Sequence, residues 1–376
     1  MENIFFKLFQ YFLHILDRLF PKRNNLLLFP VKDKTDYRDN LRFFYEAAQK
    51  SSELECLIIC LKNESWEEEN VIFLKTWKGI LSWLNARFLV IHHGLSDLPY
   101  YSSIDFKRRK VINLWHGITL KKLGYKAKNQ KITKENCEYE NYLSILCSSK
   151  LDSLAMQSSF KLPRSRVWLT GLPRNDLLML EEEKLPLDLK KQNTWIKQKI
   201  QGRMMILYMP TWREDENKEP SFDKKQLELL KSILKKNNAC LCFKKHPNSK
   251  RLSFEGDEFL NLSKSPCNEI GIMLRNAKIL VTDYSSTWTD FILLDKPIVS
   301  YCYDLDSYEK ERGLFYKCEN VFPGKVSKTF DSFIVELEKA INGHIYEKHE
   351  IIKRIFHKYT DGKNSERVVA KVIDSI

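Results

Sequence analysis

A histidine and two lysines follow the apolar run Val111–Trp115 at spacings that suit chemistry on a hydroxyl group. These residues are His116, Lys121 and Lys122. An unperturbed histidine has a pKa of about 6.5, so its ring can take a proton from a hydroxyl near neutral pH, and lysines attract anionic groups. A structural histidine in a turn is the alternative explanation of the same segment. We take His116 as the candidate general base.

The pair His92-His93 imitates this arrangement, because it follows another apolar run, Phe88–Ile91. The two segments differ in what comes next along the chain. Of the two, only His116 is followed by the continuation Leu-Lys-Lys-x-Gly, which supplies cations close to the base. The sequence therefore favours His116 as the base and keeps His93 as the alternative.

A second group of polar side chains follows the apolar runs 204–209, 241–243 and 279–282. Its members are Thr211, Arg213, His246, Asp283, Ser285 and Ser286. Guanidinium, imidazole and hydroxyl groups donate hydrogen bonds to phosphate oxygens, and the serines lie where a helix is predicted to begin. The sequence predicts a phosphate site here, although a capped helix without a ligand explains the serines equally well.

Short apolar runs alternate with helical stretches on both sides of a charged segment, residues 183–202. Runs of this length separated by helices predict buried parallel strands with helical crossovers. The predicted strands are 26–29, 56–61, 88–91, 111–115, 143–147, 167–169, 204–209, 241–243, 279–282 and 298–301. The charged segment is the predicted connection between two doubly wound α/β units, whose ligands bind at the carboxyl ends of the strands.

The first predicted element is an amphipathic helix within residues 1–23. Aromatic and aliphatic residues occupy one side of it, and the other side carries Lys7, Gln10, His14, Asp17 and Arg18. Five polar positions argue against a membrane-spanning helix, which needs about 20 mostly apolar residues. Two interpretations stay open: a helix lying in the plane of a membrane surface, or a helix packed on the first unit.

The charge of the chain limits its partners. Its 376 residues include 62 Lys and Arg against 49 Asp and Glu, a formal net charge of +13. Such a surplus indicates nucleic acid, an acidic membrane or phosphorylated substrates as partners. Ten basic and two acidic residues lie between 101 and 135, around His116, and we interpret this window as a surface for anionic lipid and phosphate-bearing polymer.

Nine scattered cysteines without zinc spacing are typical of a reducing cytoplasm.

Taken together, several motifs resemble the CDP-glycerol glycerophosphotransferase family, the teichoic acid and capsule polymer enzymes. The main motifs are Trp-His-Gly-x-x-Leu-Lys-Lys-x-Gly at 115–124, Gly-Leu-Pro-Arg-Asn-Asp at 171–176, Pro-Thr-Trp-Arg at 210–213, His-Pro at 246–247 and Thr-Asp-Tyr-Ser-Ser at 282–286. Further matches follow in family order: Lys-Pro-Ile at 296–298, Tyr-Asp-Leu-Asp at 303–306, Arg-Gly at 312–313, Asp-Gly at 361–362 and Ser-Glu-Arg at 365–367. Ile118-Thr119 departs from the Thr-Pro that is common in the family.

The resemblance implies a glycosyltransferase-B type of α/β fold, in which two Rossmann-like domains face a cleft. The expected parts are an amphipathic helix at 1–23, an acceptor domain at 24–182, a linker at 183–202, a CDP-donor domain at 203–345, and helices at 346–376 that cross back to the first domain. The implied catalytic residues are His116 and His246. The implied donor contacts are Thr211, Arg213, Asp283, Ser285, Ser286 and Arg312, and the implied acceptor or membrane contacts are Lys121 and Lys122.

The implied reaction transfers an alditol phosphate from a CDP-alditol to a hydroxyl of a membrane-linked glycan or growing polymer, and it releases CMP. Glycerol phosphate is the expected alditol phosphate. The expected partners are CDP-glycerol or a related CDP-alditol, a lipid-linked glycan acceptor and an anionic membrane, at the cytoplasmic face of a bacterial cell membrane. Asp304-x-Asp306 resembles a metal-binding motif, but we interpret it as a turn or donor-side contact and expect neither a metal nor a cofactor.

Two other functions compete with this reaction. A nucleotide-sugar glycosyltransferase on the same fold would transfer the sugar itself to a cell-surface glycan. Nucleic-acid binding agrees with the net charge but has no supporting RNP, KH or zinc-finger spacing, so we expect no nucleic-acid partner.

Overall fold

The computed structural model describes residues 2–62, 66, 70–100, 103–128, 139–213, 215–245, 249, 253–263 and 265–376, apart from the side chains of residues 2–7 and 9. The chain divides into two compact units. The first unit consists of Met1–His116, Lys131–Asp176 and Asp361–Ile376. The second unit consists of Gly117–Gln130 and Leu177–Thr360.

The strands follow one another along the chain in the order β1 to β12. They are β1 (Arg23–Val31), β2 (Glu55–Cys60), β3 (Val71–Phe73), β4 (Ala86–Ile91), β5 (Lys110–Asn113), β6 (Tyr142–Cys147), β7 (Val167–Leu169), β8 (Met204–Met209), β9 (Ala239–Phe243), β10 (Phe259–Asn261), β11 (Ile279–Thr282) and β12 (Ile298–Ser300).

The α-helices of the described residues are α1 (Glu2–Leu19), α2 (Asp39–Ala48), α3 (Trp77–Asn85), α4 (Lys150–Phe160), α5 (Asp176–Met179), α6 (Leu187–Ile200), α7 (Lys224–Lys236), α8 (Ile270–Asn276), α9 (Thr287–Phe291), α10 (Leu305–Glu311), α11 (Cys318–Val321), α12 (Phe330–Ile341), α13 (Lys348–Phe356) and α14 (Asn364–Ile373). Short 3-10 turns join several of them.

The first unit is built on a parallel sheet of order β3-β2-β1-β4-β5-β6-β7. Its central strands are apolar on both faces, and residues 26–29 of β1 are almost fully buried. This is the pattern expected where helices cover both faces of a parallel sheet. The strand order reverses between β1 and β4, so the switch point lies beside His92 and His93, with His116 following the adjacent strand, β5.

The second unit has a parallel sheet of order β10-β9-β8-β11-β12. Helices α7 and α12 cover one face and bury Leu230, Leu234, Phe333 and Leu337 in its core. The order reverses between β8 and β11, which end at Met209 and Thr282. The two segments that follow these strands carry Thr211, Arg213 and Asp283, as a switch-point site requires.

All ten predicted runs coincide with strands, and the prediction of an α/β fold with parallel sheets is confirmed. The three-residue strands β3 and β10 were missed because they are only partly buried and their apolar pattern is correspondingly weak. Over the predicted connection at 183–202, the chain forms α6 within the second unit. One face of α6 buries Leu189, Gln192, Asn193 and Ile196, and its polar members hid the helical period in the sequence.

The second half of α1 contacts the first unit through its polar side. Asp17 is buried and forms ion pairs with Arg109 and Lys22, while Nδ1 of His14 lies 3.1 Å from the carbonyl oxygen of Ser103. Burial opposes ionisation of Asp17, but Arg109 and the other donors outweigh it and lower the pKa of the carboxyl group. In the described part of the chain, no helix has both the length and the apolarity to span a membrane.

This ion pair corrects our interpretation of the basic window as one exposed surface. The side chain of Arg109 is fully buried between Asp17 and the carbonyl oxygen of Ala86. Lys110 also donates to a carbonyl oxygen, that of Ser375 in the same unit. Arg109 and Lys110 are therefore bonded within the first unit and do not belong to one exposed surface.

Two of the sequence motifs meet in the first unit. The carboxylate of Asp176 accepts hydrogen bonds from the backbone N–H groups of Asn364 and Ser365, at 2.8 and 2.7 Å, where α14 begins. The backbone of Gly171 has φ +78, and a Cβ there would lie 2.1 Å from Oδ1 of Asn364. Residues 171–176 and 361–367 therefore join α14 to the first sheet, which explains the glycine in the first motif.

Candidate functional site

His116 lies on a strained turn directly after β5. The backbone of Trp115 has φ +56, a left-handed conformation that is uncommon outside glycine. Oδ1 of Asn113 accepts a hydrogen bond from the backbone N–H of Trp115 at 2.8 Å and holds the turn. Backbone strain of this kind persists only where neighbouring groups enforce it.

Two side chains from other segments hold the carbonyl groups of this turn. Nδ2 of Asn40 donates to the carbonyl oxygens of Leu114 and Trp115, at 3.3 and 2.8 Å. The guanidinium of Arg174 donates to the carbonyl oxygen of His116 at 2.9 Å and to Asp39 at 3.2 Å. Hydrogen bonds from Asn40 and Arg174 therefore hold the backbone of the His116 turn in place.

The ring of His116 has a defined tautomer. Its Nδ1 lies 3.3 Å from the carbonyl oxygen of His92, which can only accept, so Nδ1 carries the proton and Nε2 keeps its lone pair. The residue is exposed on one side, yet desolvation by its surroundings, followed by repulsion from His93, lowers its pKa to about 4. The imidazole is consequently neutral at pH 7 and can accept a proton through Nε2.

His92 and His93 lie close to His116. The ring centroids of His93 and His116 are 5.2 Å apart, and those of His92 and His93 are 4.0 Å apart. Nδ1 of His93 faces Oδ1 of Asp97 at 3.6 Å, and Asp97 raises the pKa of His93. The structure thus brings together both histidines that the sequence offered as the base, and Asp97, which the sequence analysis did not single out.

In the second unit, Arg213 is buried at the end of β8. Its Nε donates to Asp304 at 2.8 Å, and its two terminal nitrogens donate to Asp304 at 3.0 Å, to Asp283 at 2.9 Å and to the carbonyl oxygen of Thr211 at 2.6 Å. Burial opposes the charge, but Asp283 and Asp304 outweigh it and raise the pKa of Arg213. This guanidinium is committed to protein oxygens, whereas the sequence predicted a contact with the donor phosphate.

Three tyrosines surround the same guanidinium. The ring centroids of Tyr284, Tyr303 and Tyr308 lie 5.2, 5.7 and 4.9 Å from the central carbon of Arg213. The hydroxyl of Tyr284 donates to Asp304 at 3.0 Å. Cation–π contacts and paired carboxylates make this a rigid network of buried charge.

Asp283 links this network to the segment after β8. Its carboxylate accepts the backbone N–H of Thr211 at 2.9 Å as well as a hydrogen bond from Arg213. The hydroxyl oxygen of Thr211 is buried and has no hydrogen-bond partner among the described residues. An unpaired buried hydroxyl costs free energy unless a partner satisfies it.

Lys121 and Lys122 belong to the second unit, although the family resemblance implied a place on the acceptor or membrane side. Lys121 forms an isolated antiparallel bridge with Leu314, and the backbone N–H of Lys122 donates to the carbonyl oxygen of Gly313 at 3.1 Å. Burial, followed by repulsion from Arg312 and Arg213, lowers the pKa of Lys121 to about 8 against the attraction of Asp283. These backbone bonds bring Lys121 close to the donor-side residues that the sequence named.

The remaining predicted donor residues have different surroundings. Oγ of Ser285 accepts the backbone N–H of Thr287 at 3.3 Å, and Ser286 precedes the five-residue helix α9 without capping it. Arg312 follows α10 and lies within electrostatic range of Lys121. His246 lies outside the described residues, so its catalytic role stays a prediction.

The two carboxylates of Asp304-x-Asp306 point to different partners. Asp304 binds Arg213, while Asp306 is exposed and lies 3.3 Å from Lys328. In the described part of the chain, the histidine and carboxylate groups that approach closely enough to share a metal ion are His92, His93 and Asp97.

The comparisons with known proteins agree with these motifs. The model of a family described as CDP-Glycerol:Poly(glycerophosphate) glycerophosphotransferase matches residues 11–374. The chain is 28% identical over 287 residues to the teichoic acid ribitol-phosphate polymerase TarL of Staphylococcus aureus, covering 74% of this chain and 50% of TarL. It therefore spans about half the length of that relative.

Another relative matches along nearly its whole length. The chain is 25% identical over 398 residues to a teichoic acid glycerol-phosphate transferase of Staphylococcus aureus, covering 98% of both chains. A structure of the wall teichoic acid polymerase TagF, after a 15-minute soak with CDPG, matches with a TM-score of 0.74 and 19% identity, covering 97% of this chain and 93% of TagF. This likeness shows that the chain has the α/β, glycosyltransferase-B-like fold of TagF.

Proposed function

Because the chain belongs to the CDP-glycerol:poly(glycerophosphate) glycerophosphotransferase family, we propose that it transfers an alditol phosphate from a CDP-alditol to a hydroxyl of a membrane-linked glycan or growing polymer. Glycerol phosphate is the alditol phosphate that we expect it to transfer. The enzyme is a transferase, and CMP is the second product. The observation that carries this proposal is the match of the family model over residues 11–374.

His116 takes the proton of the acceptor hydroxyl in the proposed reaction. The hydroxyl oxygen attacks the phosphorus that carries the alditol, the bond from this phosphorus to the CMP oxygen breaks, and the hydroxyl proton moves to Nε2 of His116. The tautomer of His116, which leaves the lone pair of Nε2 available for a proton, supports this role. General base catalysis of this kind is typically worth about 10²–10⁴-fold in rate.

The donor phosphates bind in the second unit. The unpaired hydroxyl of Thr211 supports a direct contact, and Ser285, Ser286, Arg312, Lys121 and Lys122 supply further donors in the same unit. Arg213 and Asp283 act as positioning residues, because their polar atoms are already bonded to each other and to the segment after β8. His246 is proposed as a second catalytic residue, and the cleft between the two units stays a prediction.

The apolar side of α1 supports an anionic membrane as a partner, at the cytoplasmic face of a bacterial membrane. Leu8, Tyr11, Phe12, Ile15 and Leu19 are 60, 66, 55, 38 and 72% exposed. The polar side of the same helix is bound to the first unit through Asp17 and Arg18. An amphipathic helix in this state can bury its apolar side at the boundary of headgroups and acyl chains and bring the enzyme to a lipid-linked acceptor.

A transfer assay tests the reaction. The purified chain is incubated with a lipid-linked acceptor and CDP-glycerol, CDP-ribitol or UDP-sugars, and the released nucleotide and the product mass are measured. We expect CMP release and a mass gain of whole alditol phosphate units, with glycerol phosphate preferred. Release of UDP with a mass gain of one sugar would establish the glycosyltransferase alternative, and no transfer from any CDP-alditol would overturn the proposal.

A binding assay tests the membrane contact separately. Replacing Phe12 and Ile15 by glutamate should abolish sedimentation with phosphatidylglycerol vesicles, because both side chains lie on the exposed apolar side of α1. The control is Leu187→Glu, which changes a still more exposed apolar residue on α6 of the second unit. Equal vesicle binding by the double variant and the control would contradict this part of the proposal.

A further inference from the structure

A histidine pair at the switch point of the first sheet has no role in the proposed transfer. His92 and His93 follow β4 directly, and a 3-10 turn at Leu95–Asp97 brings the chain back towards them. Oδ2 of Asp97 accepts hydrogen bonds from the backbone N–H groups of His92 and His93, at 3.1 and 2.8 Å. These bonds fix the Asp97 carboxylate and direct its other oxygen, Oδ1, at the imidazole of His93.

The distance between the side chains of His93 and Asp97 fits two ligands of one metal ion better than it fits a hydrogen bond. Nδ1 of His93 lies 3.6 Å from Oδ1 of Asp97, which exceeds the normal N···O range of about 2.7–3.2 Å. Two ligands of one tetrahedral zinc ion, each bound at about 2.0–2.1 Å, are separated by roughly 3.3–3.4 Å. One ligand atom from each of His92, His93 and Asp97 lies within 4.8 Å of the others.

The local charge also favours a cation. Asp36 lies 3.8 Å from Nε2 of His92, and Asp39 lies in the same neighbourhood. Together with Asp97, these residues place three carboxylates around the histidine pair. Arg174, 3.2 Å from Asp39, balances the charge of one of them. An excess of two negative charges around two imidazoles contrasts with the net charge of +13 of the whole chain.

We propose that His92, His93 and Asp97 bind one divalent transition-metal ion of the zinc type in the first unit, with a coordination position left open. Two imidazole nitrogens and one carboxylate oxygen are a donor set typical of zinc, whereas magnesium prefers oxygen ligands throughout. His93 is exposed, which gives an ion access to the site. The site adjoins the proposed base, because the rings of His93 and His116 are 5.2 Å apart, and its open position suits an anionic group of the acceptor.

Metal binding by the full chain tests this site directly. The chain is prepared without a polyhistidine tag, treated with a chelator and titrated with ZnCl₂ by calorimetry, and CoCl₂ is used as a spectroscopic probe. We expect one ion per chain and a visible Co²⁺ spectrum of the intensity typical of four-coordinate sites. The variants His93→Gln and Asp97→Asn should each weaken binding by at least about tenfold, because even changes beyond the ligands commonly cost that much.

Two controls separate the metal site from other effects. His344→Gln changes an exposed histidine of the second unit and should leave zinc affinity unchanged. His116→Asn should also keep zinc affinity while losing transfer, so failure of the metal site and failure of the proposed reaction are distinguishable. Asparagine at position 97 retains an oxygen for the two backbone N–H groups, and unfolding curves without metal should match those of the unaltered chain.

Two results would overturn the proposal. The first is the absence of any binding at 1:1 stoichiometry by the unaltered chain. The second is binding that His93→Gln and Asp97→Asn leave unchanged, which would identify an adventitious surface site.

Discussion

The strand ends at His116 in the first unit and at Arg213 in the second occupy comparable positions and have opposite properties. Both follow parallel strands at or beside a switch point. The His116 turn is strained, exposed on one side and carries a neutral imidazole with an available nitrogen. The Arg213 network is buried, and its charges are paired with carboxylates and surrounded by tyrosines.

This difference separates two tasks that one reaction needs. In the proposed reaction, the group that takes the proton must reach its substrate, and His116 lies on an exposed turn whose backbone is held by Asn40 and Arg174. The same proposal makes Arg213 a positioning residue, and its charge is buried and bonded on several sides. Substitutions at the two places should therefore affect different measurements.

The largest expected effect is the loss of transfer in His116→Asn. Asparagine can still donate to the carbonyl oxygen of His92 but cannot accept the proton, so the rate should fall by about 10²–10⁴-fold while stability changes little. Single-turnover CMP release and thermal unfolding measure the two quantities. If His93→Gln removed transfer and His116→Asn did not, the base would be His93.

Arg213→Ala should show the opposite behaviour, with a large loss of stability. Removing the guanidinium leaves Asp283 and Asp304 without their buried partner, which typically costs about 3–5 kcal/mol in the free energy of unfolding. Urea denaturation gives this value. The control is Arg354→Ala, whose exposed pair with Glu350 should contribute little to stability because water and salt screen it. Equal losses in the two variants would remove the contrast between a buried network and an ordinary surface pair.

Asn40→Ala tests whether the His116 turn depends on support from α2. The substitution removes donors to the carbonyl oxygens of Leu114 and Trp115, at a cost of about 1–3 kcal/mol in stability. We expect a lower kcat with an unchanged KM for the donor, because the base moves while the donor site in the second unit stays intact. Asn342→Ala, which removes an amide bonded to the carbonyl oxygen of Glu338, is the matched control and should preserve kcat. A rise in the donor KM without a change in kcat would contradict this positioning role.

The strand ends were predictable from the sequence because each follows a short apolar run and carries its polar residues within a few positions. The side chains that hold these strand ends in place were not predictable. Asn40 contacts a turn 75 residues away, and Arg174 contacts Asp39 across 135 residues, and neither residue belongs to a local pattern that reveals its partner. Contacts of this kind depend on how the strands are ordered in the sheet, which periodicity does not specify.

The charge pattern of the sequence was the least reliable predictor of which side chains are exposed. Arg109 stands in a run of four basic residues that we interpreted as part of a surface for anionic lipid and phosphate-bearing polymer, and Asp17 lies on the predicted polar side of α1. In the structure they form one buried ion pair, which leaves the apolar side of α1 exposed instead. The structure has a helix at Glu2–Leu19, but the amphipathic pattern of the sequence does not specify which of its sides is covered.

The smallest expected effect, in Thr211→Val, tests the second unit where its network is incomplete. The hydroxyl of Thr211 is buried without a partner among the described residues, so valine should leave the unliganded protein as stable as before, within about 0.5 kcal/mol, or slightly more stable. If a donor phosphate uses this hydroxyl, the variant should bind a CDP-alditol about tenfold more weakly, the equivalent of one hydrogen bond to a charged group. Calorimetric titration with CDP-glycerol and urea denaturation measure the two quantities on the same protein. A loss of stability with unchanged donor affinity would mean that the hydroxyl serves the fold, and the contrast between a reactive first unit and a donor-binding second unit would then rest on the remaining donors.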